Sequence, residues 1–418
     1  MPRISVDNQC MELNSSLSHL INSSHTAAWR TFDWLKGSAP TYGLSYATVA
    51  RWKSPGEPAF VSSLLDHSFL EGRLRRLIQD ALHPRGLCER EPLLSGVFVH
   101  QKPKVLLSSS NSLVELGDLL LVRQHFQSGV AEPQGRALLM QAKSARQPRT
   151  GALKGKEAHQ FSLYANWATP FSFPHNEFGP PGDNSEQWDF SRGPMPMLDS
   201  SGIYGIVANV RPDASLSMFP GGCAWSAGQA LPTPPGGRMS VDASDMSLAD
   251  VLEGFLLGTQ GRPWDIRAAG TDHWSTFVRR ALVAAESWKP YPVQRRGENA
   301  LPRRRDVMAF VHDFNDTPFS PGLIDYEALS LETRKAAYKV LLQDDIDKTT
   351  KAWKQGLPDY GDQREPPAPP ADDLWGTPSS PGISVLYLGT FGDGALPPHA
   401  DEPDGPHLTS VSLREEFA

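Results

Sequence analysis

Between Leu113 and Arg146 lie two apolar runs joined by a polar connector, and the runs are interrupted mainly by four polar residues. Glu115 and Asp118 break LVELGDLLLV, and Gln141 and Lys143 break ALLMQAKSAR. A carboxylate, an amide oxygen and an ammonium can together hold a hard divalent cation beside a phosphodiester and offset the charge that builds up as it is cleaved. That chemistry requires the groups to share one face of neighbouring strands. With a period of two, Val114, Leu116, Asp118, Leu120 and Val122 share a face, and Glu115, Gly117, Leu119 and Leu121 take the other. Leu139, Gln141 and Lys143 likewise share a face, so Gln141 and Lys143 project side by side, about 6–7 Å apart along the strand. A hairpin through HFQSGVAEPQGR sets Asp118 beside them. Both faces of the first strand are largely apolar, as in the centre of a sheet. A buried carboxylate there needs a cation or hydrogen-bond donors facing it.

The elements that must position these groups follow from the flanking sequence. SSLLDHSFLEGRLRRLIQDALHPRG (62–86) has the 3–4 residue apolar spacing of one helix, closed by Pro84-Arg85-Gly86. Glu71 lies beside its apolar stripe, and Arg73, Arg75 and Arg76 are expected on its solvent face. GVFVHQKPKVLLSS (96–109) predicts a bent strand or short hairpin broken near Pro103. SARQPRTGALKGK (144–156) is a basic loop. EAHQFSLYANWATPF (157–171) predicts a helix, and SGIYGIVANV (201–210) a strand. The order is α-β-β-β-α-β. Beyond it, helices are expected over 247–264, 273–288 and 326–353, and strands over 306–314 and 383–391. A Pro-rich acidic linker is expected over 356–373. The chain divides into an N-terminal arm (1–55) holding a short amphipathic helix over TAAWRTFDWLKG, a core with a helical extension (56–290), a C-terminal α/β elaboration (291–392) and an acidic, flexible tail (393–418).

Composition narrows the functional classes. The 418 residues include 37 Pro and 35 Gly, which implies long irregular connections. The net charge is −7, yet Glu71–Gln160 holds fourteen Lys and Arg against eight Asp and Glu, a local excess of +6 around the polar cluster. Such an asymmetry suits contact with phosphates. Residues 361–418 carry −8. No run approaches about 18 apolar residues, so no membrane span is expected, and the N-terminus lacks the apolar segment of a secretory leader. Cys10, Cys88 and Cys223 lie far apart without zinc-ligand spacing, which indicates a reducing, cytoplasmic compartment. Other polar groups have simpler readings. His312-Asp313 and Asn315-Asp316 end a strand in a turn, and His399, Asp401 and His407 belong to a solvated loop. Asp344, Asp345 and Asp347 lack the glycine and terminal Glu of an EF-hand.

Glu71 in the first helix, Gly117-Asp118 on one strand and Gln141-Ala142-Lys143 on the next resemble the PD-(D/E)xK nuclease superfamily in its Q-x-K variant. The likeness spans Ser62 to Val210. It implies an α/β fold with a restriction-endonuclease-like αβββαβ core and a mixed central sheet, carrying C-terminal additions. It also implies a metal-dependent endonuclease acting on DNA, less readily on RNA, in phage defence or repair. Asp118 and Glu71 would hold Mg²⁺ or Mn²⁺, Gln141 would complete the shell, and Lys143 would act on water or phosphate. Arg146, Arg149, Lys154 and Lys156 would steer the backbone of the nucleic acid. Glu115, His159, Gln160 and Tyr164 would support the site from behind, the last three from the helix that resembles the one following the superfamily's third motif. A partner protein supplying targeting is expected, because no recognition domain is evident. Two departures are the missing Pro before Asp118 and the neutral Gln141. The second favours an alternative: an inactive nuclease-like fold that binds nucleic acid or protein.

Overall fold

A computed structural model describes residues 6–38, 53–65, 69–99, 103–127, 130, 134–148, 157–165, 170–173, 187–191, 201–230, 241–265, 272–287, 309–313, 383–394 and 396. These residues form a mixed α/β fold around β4 (Leu119–Gln127) and β5 (Gln134–Ala145), which pair antiparallel with Leu120 opposite Leu139 and Arg123 opposite Arg136. The strands are longer than the apolar runs alone indicate. His125, Phe126 and Gln127 continue β4 and Gln134, Gly135 and Arg136 begin β5, so much of the expected connector is strand. The alternation holds within both. Leu120, Val122 and Leu139 enter one apolar cluster, and Leu119, Leu121, Leu138 and Met140 enter another on the opposite face.

Strand β7 (Gly202–Ala208) lies parallel to β5 and is buried along its whole length, as a strand covered on both faces must be. The intervening chain includes helix α4 (Glu157–Ala165). Strands β8 (Trp225–Ala230) and β9 (Val241–Ser247) extend that side antiparallel, and β10 (Arg262–Trp264) pairs with the start of β5. On the other side, β12 (Val385–Gly392) runs parallel to β4 and antiparallel to β1 (Leu93–Val99), whose far edge pairs with β11 (Ala309–Asp313). The last described strand therefore lies inside the sheet. Its Leu386 and Leu388 face one apolar cluster, and Val385 and Tyr387 face the other.

A second, three-stranded sheet joins β2 (Lys104–Leu107), β3 (Ser112–Glu115) and β6 (Phe171–Ser172). This corrects the strand expected through Asp118. The chain leaves β3 at Glu115, bends through Leu116-Gly117-Asp118 and enters β4 in the other sheet. The bend is held by Leu116 N–H donating to the Pro103 carbonyl and Asp118 N–H donating to the Met140 carbonyl, both at 2.9 Å.

Helix α1 (Val6–Ser38) is much longer than the short segment expected, and Leu13, Leu17, Leu20, Ile21, Trp29 and Phe32 are buried in the core. The helix expected over 62–86 is also divided. Helix α2 (Glu57–Leu64) starts with Pro58 in its first turn; a π-helical turn over Leu70–Leu74 then leads into α3 (Arg75–Leu82). Gly86 closes this segment at φ 68°, in the left-handed region that glycine tolerates. Arg73 and Arg76 are exposed as expected, but Arg75 is buried and pairs with Glu91 at 2.6 Å. Helix α5 (Leu248–Leu257) begins with a reciprocal Ser247–Asp250 capping box, and α6 (His273–Ser287) packs Trp274, Phe277, Val278 and Ala281 into the core. The helix expected over 326–353, the linker over 356–373 and the tail beyond 396 lie outside the described residues. No helix among the described residues is long and apolar enough to cross a membrane.

Candidate functional site

The bend before β4 and the C-terminal half of β5 bring Asp118, Gln141 and Glu115 together. Asp118 Oδ2 accepts the Ala142 N–H at 2.7 Å and also accepts the Gln141 side-chain amide. Among the described residues no hydrogen bond falls on Asp118 Oδ1, which leaves that oxygen available to a ligand. The antiparallel register produces this contact. Leu119 lies opposite Met140, so the residue before β4 meets the residue after Met140.

Two residues of α4 hold the arrangement from beneath. The Gln160 amide donates to the Glu115 carbonyl at 2.9 Å and to Gln141 Oε1 at 2.5 Å. Tyr164 donates its hydroxyl to the Leu116 carbonyl at 2.9 Å. A Cβ on Gly117 would sit 2.9 Å from that hydroxyl and 3.4 Å from the Met140 carbonyl, so the glycine is required by close packing. His159 is exposed on α4, one residue away from the buried Gln160.

Electrostatic coupling extends the group. Burial pushes the Asp118 carboxyl up to about 7, and Glu57 pushes it in the same direction. The Lys143 ammonium, the Ala142 N–H and the Gln141 amide oppose that rise. Glu115 is raised well above the usual carboxylate range, first by burial and then by the charge of Asp118, against Lys143 and Lys104. The expected strand period sets Glu115 opposite Asp118. The bend at Gly117 breaks that period and turns Glu115 into the same charged group. Glu115, Asp118 and Lys143 each keep partial solvent exposure, so the group opens to the surface and its desolvation is incomplete. Tyr164, also raised by burial, remains a protonated donor.

Glu57 and Lys104 join the group without being singled out by the sequence pattern. Glu57 accepts the Ser144 N–H at 2.9 Å, at the end of β5 next to Lys143. Its signal is Gly56-Glu57-Pro58, an acid and a proline in the first turn of a helix. Glu71 lies on the π-helical turn, and its side chain is outside the described residues. Arg146 is exposed just after β5, while Arg149, Lys154 and Lys156 lie outside the described residues.

The donor chemistry suits a hard cation of the Mg²⁺ type, which takes one or two carboxylates and keeps water or phosphate oxygens in its remaining positions. Among the described residues, no three His, Cys, Asp or Glu side chains are grouped so as to hold a metal ion by themselves. Comparison with protein-family models, curated proteins and solved structures finds no match.

Proposed function

We propose that this protein is a metal-dependent nuclease that hydrolyses phosphodiester bonds in DNA. The observation that carries the reading is the convergence of Asp118, Glu115 and Lys143 at one partly exposed opening, with Gln141 bonded to Asp118 across the β4–β5 pair. The order of elements supports it. α3, β1, β4, β5, α4 and β7 follow one another as in an αβββαβ core: β1 and β4 run antiparallel through the interposed β12, and β7 runs parallel to β5.

Asp118 and Glu115 would hold Mg²⁺ or Mn²⁺, with Glu57 adding negative charge nearby. A cation bound there supplies Lewis acidity toward the phosphate and acidifies water. Lys143 shares the face of Gln141 and acts on the same carboxylates. Its ammonium would orient the attacking water or offset charge on the phosphoryl oxygens. The exposed Lys104, whose charge acts on Glu115, and the exposed Arg146, three residues past Lys143, would attract the nucleic-acid backbone.

The test is incubation of the purified full-length protein with labelled DNA and Mg²⁺, beside Asp118→Ala and Lys143→Ala. Cleavage by the wild type alone is expected. Equal cleavage by all three would overturn the assignment. Salt-sensitive binding without cleavage would instead favour a binding module. The same assay with labelled RNA separates the two nucleic-acid classes.

A further inference from the structure

The resemblance treats Gln141 as a neutral substitute for a metal-binding acid, offering its amide oxygen to the cation. The hydrogen bonds around it have the opposite polarity. At one end of the chain of contacts is the Glu115 backbone carbonyl, which can only accept. The Gln160 group that faces it at 2.9 Å must therefore be the NH₂, and the same nitrogen reaches Gln141 Oε1 at 2.5 Å. Gln141 thus turns its oxygen toward α4 and its nitrogen toward Asp118 Oδ2, which already accepts the Ala142 N–H at 2.7 Å. When Asp118 is ionised, as cation binding requires, its carboxylate also only accepts, and both ends of the chain then require the same orientation. Gln141 and Gln160 are both buried, at 1% and 6% exposure, where reversing either amide would set oxygen against oxygen.

We infer that Gln160 is a positioning residue that fixes Gln141 as a hydrogen-bond donor to Asp118, so that a divalent cation in this site is held by carboxylates and not by the Gln141 amide. The inference rests on the nuclease reading of the site. In it, Gln141 immobilises Asp118 Oδ2 and leaves Oδ1 for the ligand. The neutral residue of the third motif then acts on its neighbour's geometry, where an acid would bind directly.

Gln160→Glu reverses the polarity. Ionised or protonated, the introduced carboxyl group presents an oxygen that accepts from Gln141 Nε2, which swings Gln141 Oε1 toward the cation. The experiment is Mn²⁺ binding to the full-length protein, followed by electron paramagnetic resonance, for wild type, Asp118→Ala, Gln141→Met, Gln160→Glu and the Gln141→Met/Gln160→Glu double variant. Asp118→Ala should weaken Mn²⁺ by more than about 100-fold, and Gln141→Met in the wild-type background, where the Ala142 N–H still holds Asp118 Oδ2, by about tenfold. In the Gln160→Glu background, where Gln141 Oε1 faces the cation, Gln141→Met should cost about tenfold more than it does in the wild-type background, the non-additivity expected of a pair acting as one unit. A loss from Gln141→Met as large as that from Asp118→Ala would make Gln141 a ligand and overturn the inference, leaving the nuclease reading intact. Equal effects of Gln141→Met in the two backgrounds would overturn the role of Gln160. Absence of Mn²⁺ binding by the wild type, or its persistence in Asp118→Ala, would defeat the cation reading and the inference with it. Should Gln141→Met fail to fold, Gln141→Glu serves: one oxygen stays on Gln160 and the other faces Asp118. Its Mn²⁺ affinity should rise about tenfold, and an unchanged affinity would overturn the inference.

Discussion

The β4–β5 pair carries charge at both of its ends, and the two ends handle it differently. At the far end Arg123 lies opposite Arg136, both buried, with His125 one turn of the pleat further along. There the polar groups are enclosed. Arg123 Nη1 donates to the carbonyls of Phe255 and Leu256, so a cation closes the C-terminal end of α5. His125 is held between Thr390 Oγ1 at 2.9 Å and the Gly394 carbonyl at 2.5 Å. Burial lowers Arg123 to about 9, against the attraction of Cys88 and together with repulsion from Arg136. At the near end, Asp118, Glu115 and Lys143 remain partly exposed, like charges sit close together, and Asp118 Oδ1 accepts no hydrogen bond among the described residues. The far end uses buried charge to join helix, strand and C-terminal segment. Both ends bring like charges together, but the near end keeps a carboxylate oxygen open at a partly exposed position, which is what a ligand site requires and a structural site does not.

Changes at the two ends should therefore separate stability from chemistry. The largest stability loss is expected from Arg123→Leu, which leaves the Phe255 and Leu256 carbonyls without their guanidinium donor. Urea denaturation should show a loss of about 2–3 kcal/mol, and a loss below about 0.5 kcal/mol would show that the far end does not hold the fold together. Gly117→Ala sets a methyl 2.9 Å from the Tyr164 hydroxyl and should cost about 1–3 kcal/mol. Pairing it with Tyr164→Phe, which removes the obstructing oxygen, should recover part of that loss; equal losses with and without the hydroxyl would contradict the steric account.

The smallest effect has the opposite sign. The Asp118 carboxyl is raised to about 7 in the folded chain from an ordinary value of 3.8. Between those values the folded state binds more protons than the unfolded one, so stability falls as pH rises through the window and stays reduced above it. Asp118→Asn, which cannot ionise, should raise the melting temperature by a few degrees at pH 8, with the gain vanishing toward pH 4. Partial exposure of the carboxyl keeps the gain modest. A gain that is the same at both pH values would contradict burial of an ionising carboxylate as its source.

Much of the near end can be read without coordinates. The apolar alternation around Leu120, Val122 and Leu139 specifies which face each strand buries, and that face carries Asp118 to Gln141. Gln160 and Tyr164 are singled out only through the likeness of the helix after β5 to the one following the superfamily's third motif. Glu115 does not follow from the alternation, because the period-two argument assumes an unbroken strand, whereas the chain changes sheets around Gly117, where a Cβ would meet the Tyr164 hydroxyl. Glu57 escapes the pattern for a related reason: the apolar spacing of 62–86 merges two helices and hides an earlier start at Pro58. The far end is the least legible. Arg123 and His125 find their partners on α5 and on the segment around β12, as much as 269 residues away in sequence; the apolar run at 383–391 signals a strand there, but no local pattern says that it enters the sheet between β1 and β4.

The most direct test of the account is the single-turnover rate of DNA cleavage with Mg²⁺, compared between wild type and Lys143→Met under conditions where both bind the DNA fully. Lys143 lies at the partly exposed end of β5, so its replacement should leave the fold intact while removing the charge that acts on water and phosphate. The account predicts a wild-type rate that disappears with EDTA and falls by about 10²-fold or more in the variant. A wild-type rate indifferent to EDTA, or a variant that cleaves as fast as the wild type, would contradict it.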